Sequence, residues 1–346
     1  MRDLRTQANL AILLVLVLAI SASAATPPKK EVAISLGPVD YLGSLRSPSD
    51  VKNPPSGFKR FLKKVVGLED DQRRMVLPHG IAVDSSGRVL VADTKGAVVH
   101  VFDVEHHRYQ QLRAPASNPF LSPIAIALDS QGRIYVTDSG RAFIFVFRPD
   151  GKFLKTVGYL GKNESIFKRC TGLAIDRRRD LLYVVDTVAM RVVVLTTEGK
   201  VLNRIGHRGD GPGEFNYPTH ITVTGDGSLW VVDSLNFRVQ HLDANGGFLS
   251  SFGAPGSGLG EFDKPKGIAI DDHGRIFVVE GRFDRVQAYD SGGEMILHFG
   301  NTGSGEGEFF LPTGIAIDAE GKLYVADSQN GRIEIFRLKP DSEGNH

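Results

Sequence analysis

One short sequence pattern occurs six times between Leu77 and Phe336, and this repeat limits the folds open to the chain. The last copy, LPTGIAIDAEGKLYVADSQNGRIEIF, is the clearest. Every copy ends its second apolar run on an acidic residue, at Asp93, Asp138, Asp186, Asp233, Glu280 and Asp327. These residues are spaced by 45, 48, 47, 47 and 47 positions. Short β-rich runs with a period of this length are typical of propeller blades of about four strands, not of helical solenoids.

Each copy carries the signals of a small antiparallel sheet. In the last copy these are a strand at 314–318, a turn at Glu320-Gly321, and further strands at 323–326 and 332–336. The middle copies add a fourth strand, which the sixth copy lacks. Residues 39–45 have the pattern of that strand and no blade of their own. The sequence therefore predicts an all-β, six-bladed β-propeller closed by an N-terminal strand, which leaves no long open sheet edge.

The repeat wording PxGIAxDxxGxxYVxDxxNxRVxxF and linkers such as Gly303-Ser304-Gly305-Glu306-Gly307-Glu308-Phe309 resemble the NHL-repeat family. The resemblance covers about residues 77–337 and implies the propeller fold. Family members include extracytoplasmic sensor domains of bacterial kinases, RNA- or protein-binding ends of tripartite-motif proteins, and a metal-dependent amidoglycolate lyase. Because one fold serves all of these functions, the function must be argued from the site.

Charge and the N-terminus indicate where such a chain would work. The 41 basic and 40 acidic residues nearly cancel, so no overall field recruits nucleic acid. Arg2 and Arg5 precede an uncharged run at 10–20 and then Ala22-Ser23-Ala24. This pattern predicts a secretory signal cleaved after residue 24, and hence a periplasmic or secreted protein. Cys170 is the only cysteine, so no intramolecular disulfide can form. It is interpreted as a packed thiol because it holds the position of Pro in the other five copies, before a buried strand.

The remaining segments have separate predictions. We expect a signal peptide at 1–24, an N-terminal segment with the closing strand at 25–46, an insertion at 47–76, the repeats at 77–338 and a flexible tail at 339–346. Within the insertion, apolar residues at i, i+3, i+4, i+7 and i+8 predict a short amphipathic helix at about 57–67. Its basic side favours packing on the propeller with the charges in solvent. Contact with an anionic membrane is the alternative.

The acidic residues of four copies have an arginine five positions later. The predicted structural clamps are Asp186 with Arg191, Asp233 with Arg238, Glu280 with Arg285, and Asp327 with Arg332. A charge-assisted bond in each pair would hold the turn between the second and third strands. In the first two copies Val98 and Phe143 replace the arginine. Asp93 and Asp138 are therefore predicted to be free carboxylates, unless Lys95 or Arg141 compensates.

In a propeller, the starts of the first and third strands and the end of the second lie on one face, around the mouth of the central channel. Residues that open the first strands stand out there because they are histidine or lysine in some copies. Since ligands often bind where a repeat departs from its structural rule, we predict a polar ligand site at the mouth. Its candidate residues are His79, Asp93, Asp138, His220, Lys266 and Glu280.

The leading hypothesis is a monomeric, non-catalytic propeller that recognises a protein, peptide or envelope component, without a cofactor. The sequence shows no complete catalytic triad, metal cluster or phosphate loop, which favours this function. The alternative is a metal-dependent lyase or lactone hydrolase with zinc or calcium. His79-Gly80-Ile81 resembles the opening that supplies zinc ligands in the amidoglycolate lyase, but only the first copy matches, and His220 is one place out of register. Two histidines on opposite sides of a channel are expected to make a poor zinc site. A passive assembly scaffold is the third hypothesis.

Overall fold

A computed structural model describes residues 39–51, 73–162 and 164–339 of the chain. Six four-stranded antiparallel sheets form the six blades. From the centre outward, blade 1 consists of Pro78–Val83, Val89–Asp93, Val98–Asp103 and Arg108–Leu112. Blade 2 consists of Pro123–Leu128, Ile134–Asp138, Phe143–Phe147 and Phe153–Val157. Blade 3 consists of Cys170–Asp176, Leu181–Asp186, Arg191–Thr196 and Val201–Ile205. Blade 4 consists of Pro218–Val223, Leu229–Asp233, Arg238–Leu242 and Phe248–Phe252.

Blade 5 consists of Pro265–Ile270, Ile276–Glu280, Arg285–Tyr289 and Met295–Phe299. Blade 6 consists of Ile315–Ile317, Lys322–Asp327, Arg332–Leu338 and, as its outermost strand, Val39–Leu45. The smaller elements are a two-stranded ribbon of Tyr159–Gly161 with Glu164–Ser165 and the 3-10 helices Pro48–Asp50, Thr187–Ala189 and Ser234–Asn236. None of the helices in the described ranges has the length and apolar character needed to span a membrane.

The N-terminal strand closes the ring, as the sequence predicts. It pairs antiparallel with the third strand of blade 6, with Val39 opposite Leu338 and Leu45 opposite Ile333. Tyr41 and Leu45 pack against neighbouring buried residues of the last and first blades. A sheet that takes strands from both ends of the chain locks the ring without leaving its edge open.

Apolar contacts between blades form the core. The second and third strands are apolar at consecutive positions because a neighbouring blade covers each face, as at Leu229–Asp233, where every residue is buried. Each of the three long Gly-rich linkers ends in a phenylalanine that is fully buried between blades. These residues are Phe215, Phe262 and Phe309.

The insertion is described only at its two ends. His107 Nδ1 lies 3.0 Å from the Val51 carbonyl oxygen, and the Arg73 guanidinium lies 5.2 Å from the centre of the Tyr109 ring. Both partners belong to the outer hairpin of blade 1, so Val51 and Arg73 lie beside that hairpin and not at the channel mouth. The predicted helix at 57–67, the signal peptide at 1–24 and all but the first residue of the tail at 339–346 lie outside the described residues.

Candidate functional site

All six acidic residues of the repeat are buried, and each accepts hydrogen bonds from the backbone that enters the first strand of its blade. Asp233 is representative. Its carboxylate accepts from Asn216 N–H at 2.7 Å, Arg238 Nε at 2.9 Å and Gln240 Nε2 at 3.0 Å. The Arg238 guanidinium also donates to carbonyl oxygens of the preceding Gly-rich linker. The clamp therefore ties the linker to the blade as well as holding a turn.

Three of the four predicted clamp pairs are in contact. The nitrogen-to-oxygen distances are 3.3 Å for Arg191 and Asp186, 2.9 Å for Arg238 and Asp233, and 2.7 Å for Arg332 and Asp327. The prediction of a Glu280–Arg285 bond is wrong. Glu280 instead accepts from the backbone N–H groups of Asp263, Lys264 and Arg282, while Arg285 donates to two linker carbonyls. The longer glutamate side chain already has its hydrogen bonds, so the arginine takes other acceptors.

The prediction that Asp93 is a free carboxylate at the mouth is also wrong. Its oxygens accept from the N–H groups of Val76 and Leu77 at 2.7 and 3.0 Å, and His100 Nε2 lies 3.2 Å away. Burial alone would raise the pKa of Asp93, but the hydrogen bonds from His100 and the backbone outweigh it and hold the pKa below its usual value. His100 thus replaces the missing arginine, two positions further along the third strand.

Asp138 is equally well satisfied, although no side chain replaces the arginine in blade 2. Four backbone N–H groups donate to it at 2.7 to 3.0 Å, from Leu121, Ser122, Gly140 and Arg141. The Arg141 side chain turns away and donates to the Pro119 carbonyl. Asp93, Asp138 and Glu280 are therefore structural residues, because fully buried carboxylates with these donors offer no open position to a ligand.

The other three candidates lie together at the channel mouth. His79 opens the first strand of blade 1, and His220 lies in the first strand of blade 4, across the axis. Their rings are stacked, with centroids 5.6 Å apart and planes 3° from parallel. The expectation that the channel would keep these histidines apart is wrong, because the channel is narrow at this level. Lys266 of blade 5 is within electrostatic range of both rings. We call His79, His220 and Lys266 the mouth cluster.

A column of glycines lets neighbouring first strands approach closely at this level. A Cβ atom at Gly80, Gly267 or Gly314 would clash with the backbone of the adjacent blade's first strand. His220 occupies the corresponding position of blade 4, and Ala125 that of blade 2. The strand pairing is irregular at this point in blades 1 to 5. Irregular pairing of this kind changes the direction of side chains along a strand.

Burial makes both histidines neutral. It lowers the pKa of His79 to about 3, helped by the charge of Lys266 and opposed by a hydrogen bond with the Ile124 backbone. Burial, His79 and Lys266 lower the pKa of His220 well below its usual value. The Nδ1 atom of each ring is buried and has no hydrogen-bond partner among the described residues. At neutral pH the mouth cluster therefore holds two uncharged imidazoles beside one ammonium group.

Pairs of hydroxyl groups, which the sequence interpretation missed, line the mouth in three blades. His79 and Lys266 stand where the first hydroxyl of such a pair would be. In blades 3, 4 and 6 the first strand opens with a threonine whose hydroxyl bonds to the hydroxyl after the acidic residue. These pairs are Thr171 with Thr187 at 2.7 Å, Thr219 with Ser234 at 2.8 Å, and Thr313 with Ser328 at 2.7 Å. The second hydroxyl also donates to a carbonyl of the next blade. In blades 1, 2 and 5 the opening residues are His79, Ile124 and Lys266, and this pair does not form.

A cavity occupies the central channel on the side of the mouth cluster away from the mouth. This cavity of about 500 Å³ is lined by the later residues of all six first strands, including Ile81, Leu173, Ile221, Ile268 and Ile315. Its far end reaches the turns between first and second strands. The mouth cluster does not line this cavity. Cys170 is buried too, with Sγ 3.5 Å from the carbonyl oxygens of Asp138 and Phe143, and burial raises the pKa of its thiol.

Family comparisons agree with this architecture. A family described as a six-bladed β-propeller matches residues 81–194 and 173–239, and the NHL repeat matches residues 311–336. No curated protein sequence matches the chain.

Solved structures show the same fold at low sequence identity. A Bacteroides thetaiotaomicron protein of unknown function has a TM-score of 0.62 and 18% identity over 87% of this chain and 76% of its own. A Xanthomonas campestris gluconolactonase has a TM-score of 0.58 and 15% identity, covering 87% and 99%. Virginiamycin B lyase from Staphylococcus aureus has a TM-score of 0.56 and 17% identity, covering 77% and 97%. The chain is thus a six-bladed β-propeller, and its last repeat matches the NHL repeat.

Proposed function

We propose that this protein is an extracytoplasmic recognition propeller that binds a protein, peptide or envelope component at its channel mouth. The mouth cluster carries the proposal. At the mouth the repeat otherwise bonds hydroxyl to hydroxyl and carboxylate to backbone, whereas Lys266 has no ion pair or hydrogen bond with the described residues. The Nδ1 atoms of His79 and His220 are buried without a partner among the described residues, which costs free energy, so the mouth cluster is a candidate binding site. The extracytoplasmic location rests on the secretory signal predicted from residues 1–24.

Affinity capture tests the proposal. The mature protein, Lys266→Met and the control Lys152→Met would be immobilised and exposed to an envelope extract of the cells that make the protein. Lys152 suits the control because it lies on an outer strand turn with a side chain 77% exposed. We expect the wild type and the control to retain the same component and Lys266→Met to lose it. Equal retention by all three proteins would contradict recognition at the mouth.

The stacked histidines also favour a second candidate, a metal-dependent lyase or lactone hydrolase. They supply two imidazole ligands, whereas catalytic zinc sites have three protein ligands. Within the described ranges, no three His, Cys, Asp or Glu side chains converge as a possible metal site. Elemental analysis of protein purified without added metal tests this function. One zinc or calcium per chain, lost in a His79→Ala/His220→Ala variant, would favour the enzyme.

A further inference from the structure

We infer that the mouth cluster binds the terminal carboxylate of a peptide whose last residues are apolar. This inference rests on the proposed function and names the chemical class of the ligand. It follows from the charge at the mouth, the closure of the channel behind the cluster and the apolar surface around it.

Positive charge is in excess around the mouth cluster. Burial lowers the pKa of Lys266, and the neighbouring charges of Lys264 and Arg169 lower it further, while Glu280 opposes them. The Glu280 carboxylate is fully buried and already accepts three backbone N–H groups. It therefore offsets part of the charge but does not pair with Lys266. An entering carboxylate would supply the missing partner, and the neutral His220 imidazole beside it can donate its N–H group.

The narrow channel determines how such a group can enter. The rings of His79 and His220, from blades on opposite sides of the axis, have centroids 5.6 Å apart and occupy the channel at this level, so a chain cannot pass between them. The cavity of about 500 Å³ lies on the other side and is lined by apolar residues of the first strands, with Asp176, Arg177 and Arg178 at its far end. A ligand that reaches Lys266 from the mouth face must therefore arrive end-on. The free carboxylate at the end of a peptide has the charge and the shape for this approach.

Exposed apolar side chains surround the mouth. They lie in the loops that precede first strands or join second to third strands, and we call them the mouth rim: Val76, Leu121, Val188, Tyr217, Leu235, Phe310 and Leu311. Leu121 is 55% exposed, Leu235 48% and Phe310 47%. Apolar side chains gathered on one face mark interaction sites. Apolar residues next to the terminal carboxylate would cover this rim while the carboxylate contacts Lys266.

Fluorescence polarisation with two peptide pools tests the inference. Both are fluorescein-labelled octapeptides with Leu, Val or Phe at the last three positions, ending in a free carboxylate in one pool and an amide in the other. We expect the amide pool to bind about tenfold more weakly or worse, as loss of a charge-assisted hydrogen bond predicts. Lys266→Met should lose the same factor for the acid pool and nothing for the amide pool. Lys266→Arg should retain binding, and Lys152→Met should match the wild type.

Several results would overturn the inference. These are equal binding of the two pools, undiminished binding by Lys266→Met, or competition by inorganic phosphate at concentrations where acetate has no effect. If neither pool binds but capture from the envelope extract still depends on Lys266, the carboxylate inference is wrong and the proposed function stands. If capture is also independent of Lys266, both are wrong.

Discussion

The repeat is broken at two kinds of position: some clamps lack their arginine, and some first strands open without their threonine. The structure compensates for the first loss but not for the second at Lys266. Where the arginine is missing from a clamp, the fold supplies other donors, as His100 does for Asp93 and backbone N–H groups do for Asp138. Where the threonine is missing from an opening position, no such replacement forms for Lys266 among the described residues. A departure from a repeat therefore indicates function only where no other contact takes over the lost one.

Deleting the closing strand should cause the largest loss of stability. Removing residues 25–45 would open the sheet of blade 6, delete Tyr41 and Leu45, and expose the apolar residues that they cover, such as Phe336 and Ile333. Each buried apolar side chain is worth roughly 1.5 to 3 kcal/mol. We expect the melting temperature to fall by about 10 °C or more. Differential scanning calorimetry would show this, and a melting temperature within about 2 °C of the mature chain would contradict a structural role for closure.

Asp93 and Asp233 should have similar effects on stability, although only Asp233 has an arginine partner. Replacement of either by alanine leaves several buried donors without an acceptor, each costing about 1 to 3 kcal/mol. We expect each variant to lose roughly 3 to 5 kcal/mol of unfolding free energy in urea. Capture at the mouth should be unchanged at temperatures where both variants are folded. If the Asp93→Ala protein were as stable as the wild type but no longer bound its partner, Asp93 would belong to the binding site.

Glu334 is a buried residue whose hydrogen bonds remain incomplete. At the equivalent positions of blades 4 and 5, Gln240 and Gln287 each donate to a linker carbonyl and accept from a glycine N–H. Glu334 lies 2.8 Å from Arg332, but its oxygens have no well-formed hydrogen bond. Burial raises the pKa of Glu334. Tyr41, Arg332 and Arg46 act against that rise, and Asp327 adds to it.

Because the pKa of Glu334 is higher in the folded state, its contribution to stability is present below about pH 4.3, the usual glutamate value. That contribution is lost as the pH rises through the raised value. Glu334→Gln should therefore raise the unfolding free energy at pH 8 by roughly 1 to 2 kcal/mol and have little effect at pH 4. Gln287→Glu, the reverse change in blade 5, should lower stability at pH 8. Equal effects at both pH values would show that charge is not the cause.

The smallest effect on stability is expected at the mouth. His79→Gln removes a ring that has no partner at Nδ1, so the unfolding free energy at pH 7.5 should change by less than about 1 kcal/mol. Since the pKa of His79 is lowered in the folded state, unfolding takes up a proton below about pH 6.5 and stability falls as the medium becomes more acidic. In the His79→Gln variant, the unfolding free energy should fall less between pH 7.5 and 5 than it does in the wild type. Denaturant titrations from pH 7.5 to 5 would measure it, and an unaltered decline would show that His79 is not held neutral.

The sequence by itself determined the six blades, the position of each acidic residue and the closing strand, because strand period, turn residues and repeat length are local properties of the chain. It also contained the missed hydroxyl pairs, since Thr or Ser follows the acidic residue in five copies and Gly281 in the other. Only the tertiary structure determined which groups bond to each acidic residue and which side chains meet at the channel mouth. No repeat pattern encodes the distance across the channel that stacks His79 on His220. Likewise, only three-dimensional packing shows that His100 can replace an arginine and that Glu280 satisfies its carboxylate without one.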